Sequence, residues 1–296
     1  MPLIARKWEP ITDIPDNFSK LSDPVFAETA SAWEEARKSM DKKLISRYRE
    51  TVFREWAIET GLIEGLYRVD ASLKESMIRD GLDTADLLNA TKAGGVPDVS
   101  FMIANHYVIV KNLVRDFGPK GVLPPLWVRR LHSRFMRKQD YYFGVLPSGR
   151  RGRSQLLKGV FKRRPNNLFT PNGVIEFCPP SQVIGEMDRL IAMHKAHVEA
   201  KVPVDVEAAW LHHRFALIHP FQAGNGRVGR ALASLEYMRA GFLPPVISAV
   251  RKTEYIEALN LAGKGDLKPF VGYLSGVVIS KIQGLIDSAK SEKCQQ

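Results

Sequence analysis

The chain has 296 residues, 45% hydrophobic and 25% charged, enough apolar side chains for one large domain with an appended helical region or for two small domains. A net charge of +11 at pH 7 and a pI near 9.6 predict an anionic partner, whether nucleotide, acidic protein or nucleic acid. The two cysteines, Cys178 and Cys294, exclude a disulfide framework and predict a reducing, cytoplasmic setting; no apolar run approaches a membrane span and no signal-peptide core opens the chain, so no membrane is expected.

Residues 1–30, rich in Pro, Asp and Ser, read as an extended arm and a turn. From about Ser31 to Glu59 the pattern is helical, with Leu44, Ile45, Tyr48, Val52 and Trp56 at core-facing spacing. Thr60-Gly61-Leu62-Ile63-Glu64-Gly65 ends it as a turn with a surface acid. Further helices are expected between 70 and 116, where Leu73, Met77 and Ile78 form one apolar set. Phe101, Ala104, Tyr107, Val108 and Leu113 form another, after a break at Gly94-Gly95-Val96-Pro97. Pro124-Pro125 precedes a helix from Leu126 to Arg137, its inner face Leu131, His132 and Phe135.

Arg150, Arg151, Arg153, Lys158, Lys162, Arg163 and Arg164 form a basic cluster. It lacks stacking aromatics and any recognition-helix pattern, so a solvated or phosphate-facing surface is expected and a nucleic-acid groove is not. Val160 to Arg164 and Val174 to Phe177 are β-like runs punctuated by Pro165-Asn166-Asn167 and Pro171-Asn172-Gly173, which predicts a hairpin. Val183 to Ala200 is helical. His194 and His197 have a spacing metals can use, but no acidic or cysteine partner completes a site in the sequence, and both are expected at the surface.

Asp205 to Ile218 reads as a helix with Asp205 as N-cap and Val206, Trp210, His213 and Leu217 on one face. It runs into His219-Pro220-Phe221-Gln222-Ala223-Gly224-Asn225-Gly226-Arg227-Val228-Gly229-Arg230. Gly224 and Gly226 let backbone N–H groups approach a ligand, and the start of the next helix suits a phosphate. Arg227 and Arg230, one turn apart, add charged donors. His219 at the lip is placed to take a proton from an incoming hydroxyl. Such an ensemble suits in-line attack on a nucleotide phosphate, where positioning and charge do most of the work. Tyr255 to Ala262 and Val271 to Lys290 complete the helices, and 291–296 is expected to fray.

The stretch from His219 to Arg230 resembles the signature of the Fic family, His-x-Phe-x-(Asp/Glu)-Gly-Asn-Gly-Arg-x-x-Arg, at every defining position but one: Ala223 stands where the family has an acid. The resemblance implies a mainly α fold, a Fic-like helical core (116–290) with a β-hairpin flap, preceded by an N-terminal helical region (1–115). It implies transfer of AMP from ATP to a hydroxyl of a target protein. His219 would be the general base. Gly224, Asn225 and Gly226 would hold the α- and β-phosphates, Arg227 the β-phosphate region and Arg230 the γ-phosphate. Tyr255 would flank the adenine, with Gly263 where the family often has an asparagine. The target would dock under the flap, 158–178, with Gly173, Val174 and Ile175 nearest the nucleotide.

Thr60 to Gly65 is similar to the family's inhibitory motif, (Ser/Thr)-x-x-x-Glu-(Gly/Asn), so Glu64 would pair with Arg230 and compete with the γ-phosphate. ATP is the implied co-substrate. Mg²⁺ is the implied metal, but Ala223 offers no oxygen to it. A weakened transferase, a Fic enzyme of different chemistry (removal of AMP, or transfer of another phosphate-linked group) and a nucleotide-binding regulatory protein without turnover all stay open. A homodimer is a further expectation.

Overall fold

Three aspartates start the first helices. This computed structural model describes residues 4–82, 99–117, 123–145 and 150–294. Asp23 accepts from Val25 N–H at 2.9 Å and opens α1 (Pro24–Ser39); Asp41 accepts from Lys43 N–H at 2.9 Å and opens α2 (Lys42–Ile63); Asp70 caps α3 (Ala71–Arg79). The helical span expected over Ser31–Glu59 is made of two helices, because Asp41 is a capping signal inside it. The expected stripe on α2 packs inward, and Trp56 donates to Ser234 Oγ at 3.0 Å.

Helices α4 (Val99–Lys111), α5 (Leu113–Phe117) and α6 (Pro125–Phe135) follow. The buried face of α4 is Val99, Ile103, His106, Ile109 and Val110; of the expected apolar set Leu113 is fully buried and Val108 is exposed. The expected break at Gly94–Pro97 lies outside the described residues. A satellite cluster of Ala57, Ile58, Tyr67, Met77, Val99 and Ile103 joins α2, α3 and α4. Most other buried apolar side chains pack into one main core.

That core is built on α7 (Val183–Ala200), α8 (Val204–Ile218), α9 (Asn225–Arg239), α10 (Lys252–Ala262) and α11 (Lys268–Cys294). Helices α8 and α9 form the most intimate pair, with Trp210, Phe215, Val228, Leu232 and Tyr237 fully buried. Pro203, not Asp205, stands at the start of α8. Asp205 instead accepts from Ser22 Oγ and from Asp23 N–H at 2.8 Å, tying the start of α1 to the core. His194 and His197 are not surface residues: Glu207 accepts from both at 2.6 Å, and Asp13 faces the other nitrogen of His197. Partners from distant segments completed what the local sequence lacked.

Helix α11 continues to Cys294, past the expected end at Lys290. Over Lys268–Ser291 it is long and apolar enough to cross a membrane by length and composition alone, contrary to expectation. Its Phe270, Val271, Leu274, Val278, Ile282 and Leu285 are spent inside the core against neighbouring helices.

The strands are few. β1 (Ile4–Arg6) lies in the N-terminal arm, β2 (Tyr141–Val145) and β3 (Arg151–Gln155) form one hairpin, and β4 (Leu168–Thr170) and β5 (Gly173–Ile175) form another. The second is the expected flap, but its first strand is Leu168–Thr170 and not Val160–Arg164. The latter is an extended loop pinned to the signature, with Lys162 N–H donating to Pro220 O at 2.8 Å. The three-stranded sheet has the order β1-β5-β4, with β1 parallel to β5.

Candidate active site

Helix α8 stops at His219, whose φ of 50° is left-handed, with its N–H still donating to Phe215 O at 3.0 Å. A non-glycine residue held there is strained, and such strain gathers at functional sites. His219 Nδ1 lies 3.2 Å from Ala216 O. A carbonyl only accepts, so Nδ1 carries the proton and Nε2 keeps its lone pair. Phe177 stacks on the imidazole at 4.0 Å. Burial, then the nearby Lys162 ammonium, pushes the His219 pKa down to about 3, so the ring is neutral at pH 7.

The signature loop is held from within. Asn225 Oδ1 accepts from Phe221 N–H at 2.9 Å, and Asn225 Nδ2 donates to Phe221 O at 2.7 Å. Both ends of that amide are used on the loop itself. From outside, His132 Nδ1 accepts from Gly159 N–H at 2.8 Å, its Nε2–H donates to Ala223 O at 2.9 Å, and its ring stacks on Phe221 at 3.8 Å. Asn166 donates to His219 O and Phe221 O from the flap side.

Gly224, with φ of 82°, turns the chain into α9, whose first N–H groups face the end of α2. There the Glu64 carboxylate sits against Gly226 so closely that a Cβ would strike it. Arg230 Nη2 donates to Glu64 Oε1 at 2.8 Å and to Thr60 O at 3.1 Å, and Arg230 Nε donates to Thr60 Oγ1 at 2.9 Å. Burial raises the Glu64 pKa, but Arg230 and Arg227 outweigh it and hold the carboxyl below its ordinary range. The glutamate is thus an anion in a cradle of cations and helix dipole.

A cavity of about 360 Å³ opens beside this contact. Of the residues singled out in the sequence, Glu64, Ile175, His219, Asn225, Gly226, Arg230 and Tyr255 line it. Gly173, Val174, Gly224 and Arg227 do not. Val174, on the flap strand β5, is buried, and Arg227 donates to Gln139 Oε1 at 2.7 Å. Tyr255 presents its ring to the cavity while its hydroxyl donates to His212 Nε2 at 3.0 Å. Arg6, Phe177, Lys252 and Asn260 also line the cavity and had not been singled out. Asn260 lies five residues after Tyr255 on the same helix, a signal that was legible; Arg6 carried none, since only the fold brings β1 here.

Mg²⁺ does not fit the side chains present. Ala223 supplies no oxygen, Glu64 is engaged by Arg230, and no group of three His, Cys, Asp or Glu able to hold a metal occurs among the described residues.

A histidine at a helix end, a glycine-rich turn and two buried arginines on the next helix are the layout of one known family. Residues 122–236 of the chain match its sequence model, that of the Fic/DOC family. Over 84 residues the chain is 40% identical to the protein adenylyltransferase fic-1 of Caenorhabditis briggsae, a match covering 28% of this chain and 17% of that protein. The protein adenylyltransferase Fic of Drosophila erecta is 37% identical over 83 residues, again 28% of this chain and 17% of the relative. The chain therefore spans about a sixth of the length of the curated relatives it matches. Among solved structures, a Fic-domain-containing signalling protein of Bacteroides thetaiotaomicron superposes with a TM-score of 0.73 at 22% identity, covering 90% of this chain and 97% of that one. Fic-1 of Caenorhabditis elegans superposes with a TM-score of 0.64 at 19% identity, covering 90% and 74%. These two share the mainly α Fic fold described above.

Proposed function

We propose that this protein transfers AMP from ATP to a hydroxyl side chain of a target protein, and that Glu64 restrains it. The observation that carries the reading is the Glu64 carboxylate on Arg230, at the N-terminus of α9 and in the cavity that His219 also lines. An anion already occupies the donors a terminal phosphate would use. Its withdrawal frees Arg230 and the first amides of α9 for the phosphates, with Asn225 keeping the turn in shape. The unprotonated Nε2 of His219 takes the proton of the target hydroxyl as its oxygen attacks the α-phosphorus. The new P–O bond forms as the bond to pyrophosphate breaks. Arg227 reaches the β-phosphate region only by leaving Gln139. The target lies under the flap, 158–178, paired with the strand that holds Gly173 to Ile175. A reducing, cytoplasmic setting accords with the free, buried Cys178.

A second reading has one observation in its favour. Ala223 leaves the phosphates without a side-chain-held cation, which fits a protein that binds nucleotide without turning it over.

The test compares this chain with Glu64→Gly, Ala223→Asp and the double variant, each given α-labelled ATP and Mg²⁺, with His219→Ala as control. Label on protein is expected to rise with Glu64→Gly, to rise further in the double variant and to vanish with His219→Ala. ATP binding without label in every variant would overturn the transferase reading and favour the second.

A further inference from the structure

The N-terminal arm has a fixed root and a lightly held tip. At the root, Ile11 is buried and its N–H donates to Glu186 Oε2 at 2.8 Å, while Thr12 O accepts from Trp210 Nε1 at 3.2 Å and from Arg214 Nε at 2.8 Å. Asp13 lies against His197. At the tip, β1 is three residues long. It pairs Ile4 with Val174 and Arg6 with Ile175, with a register irregularity between the two, and Arg6 O accepts from Glu176 N–H at 2.9 Å.

Arg6 does more than continue a strand. Its side chain lines the cavity and its guanidinium lies 5.8 Å from the ring of Phe177, which is itself stacked on His219. Its Nη1 stands 2.8 Å from the point where a Cβ on Gly263 would be, so the arm fills space that a side chain at 263 would take. No carboxylate pairs with Arg6 among the described residues. Because the sheet order is β1-β5-β4, both edges of β5 are taken, and a new strand on β5 has to replace β1. Strand exchange returns the same backbone hydrogen bonds, so the cost of displacement falls mainly on the Arg6–Phe177 contact.

We propose that Ile4–Arg6 is a resident occupant of the outer edge of β5, the strand with which the proposed function pairs the target, and that an incoming extended segment carrying a cation has to displace it to lie beside Phe177. The incoming segment belongs to the target protein; only that identity rests on the transferase reading. The strand exchange itself is independent of any chemistry at His219. It adds a restraint distinct from Glu64, on the protein substrate instead of the nucleotide.

The experiment uses the full chain and a fluorescein-labelled peptide with the sequence of residues 3–8, followed by anisotropy. Apparent affinity scales with the fraction of molecules whose edge is free. Ala5→Pro, which breaks strand pairing at the tip, is expected to tighten peptide binding by about tenfold or more over the unaltered chain. Arg6→Ala, which keeps the backbone, is expected to tighten it less. A peptide with its arginine replaced by alanine is expected to bind Ala5→Pro several-fold more weakly.

Equal affinity in all three proteins, or no binding to any, would overturn the proposal. A dimer of the unaltered chain that dissociates in Ala5→Pro would overturn it in favour of strand exchange between two copies. Nucleotide labelling plays no part in this readout. Peptide exchange without label in the transferase assay thus rejects the transferase reading alone, and label without peptide exchange rejects this proposal alone.

Discussion

His132 holds the signature loop through both ring nitrogens and one ring face. Burial pushes its pKa down to about 4, so it keeps the neutral form that one donor and one acceptor require. His132→Phe would keep the stack on Phe221 and strand two buried backbone groups, at about 1–3 kcal/mol each. A lower urea midpoint and weaker nucleotide binding in a Glu64→Gly background are expected; an unchanged midpoint would refute this role. The sequence placed His132 on the inner face of its helix, but not against Ala223 O, because that contact spans 91 residues. Asn225 shows a subtler gap. Its position in a glycine-rich turn suggested phosphate binding, whereas its amide is committed to Phe221. A motif fixes which residues meet at a site, and the hydrogen-bond inventory decides what each is free to do.

The end of α2 is an element built to present one carboxylate. Glu59, one turn before Ile63, accepts from Lys74 Nζ at 2.5 Å and from Ala249 N–H at 2.7 Å; Lys252 Nζ donates to Ile63 O at 2.7 Å. Gly61 leaves room for the Tyr67 hydroxyl, which donates to the α2 carbonyls of Ala57 and Ile58. Loosening this clamp should act like a mild withdrawal of Glu64. Glu59→Ala is expected to raise ATP affinity about fivefold with Glu64 intact, and to have no such effect in a Glu64→Gly background. Titration calorimetry on the four proteins checks it, and equal effects in both backgrounds would count against coupling through α2.

At this scale the sequence was informative where local chemistry rules. The α8–α9 hairpin and the Pro171-Asn172-Gly173 turn lie where expected. It misled where an element answers to distant partners: Val160–Arg164 has strand-like residues, yet Lys162 N–H and Nζ are claimed by Pro220 and Ile218.

Across the whole molecule, buried histidines set the response to acid. Burial pushes His106, His212 and His219 down to about 3 and His132 to about 4, against an ordinary value of 6.5. Between those values the unfolded chain binds more protons than the folded one. The stability these groups contribute is full above pH 6.5 and is lost as the pH falls toward 4. His197 runs the other way. Burial lowers its pKa, but Glu207 and Asp13 outweigh burial and raise it, so its contribution is lost as the pH rises through the raised value. His213, lowered well below its ordinary value by burial, adds a fifth such group, and with five against one the urea midpoint is expected to fall steadily from pH 6.5 to 4.5. A flat profile would mean that these rings are not held neutral in the folded state.

The arm whose Arg6 lines the cavity is made well before the segments it packs against. Its partners come late: Trp8 N–H waits for Glu176, 168 residues on, and Thr12 for Arg214, 202 residues on. At roughly 5–20 residues per second, the arm is made about 10–40 s before Arg214. The residues of the arm therefore wait longer for their partners than most of the chain does, and the β5 edge cannot be covered by β1 until Glu176 and Arg214 have been made.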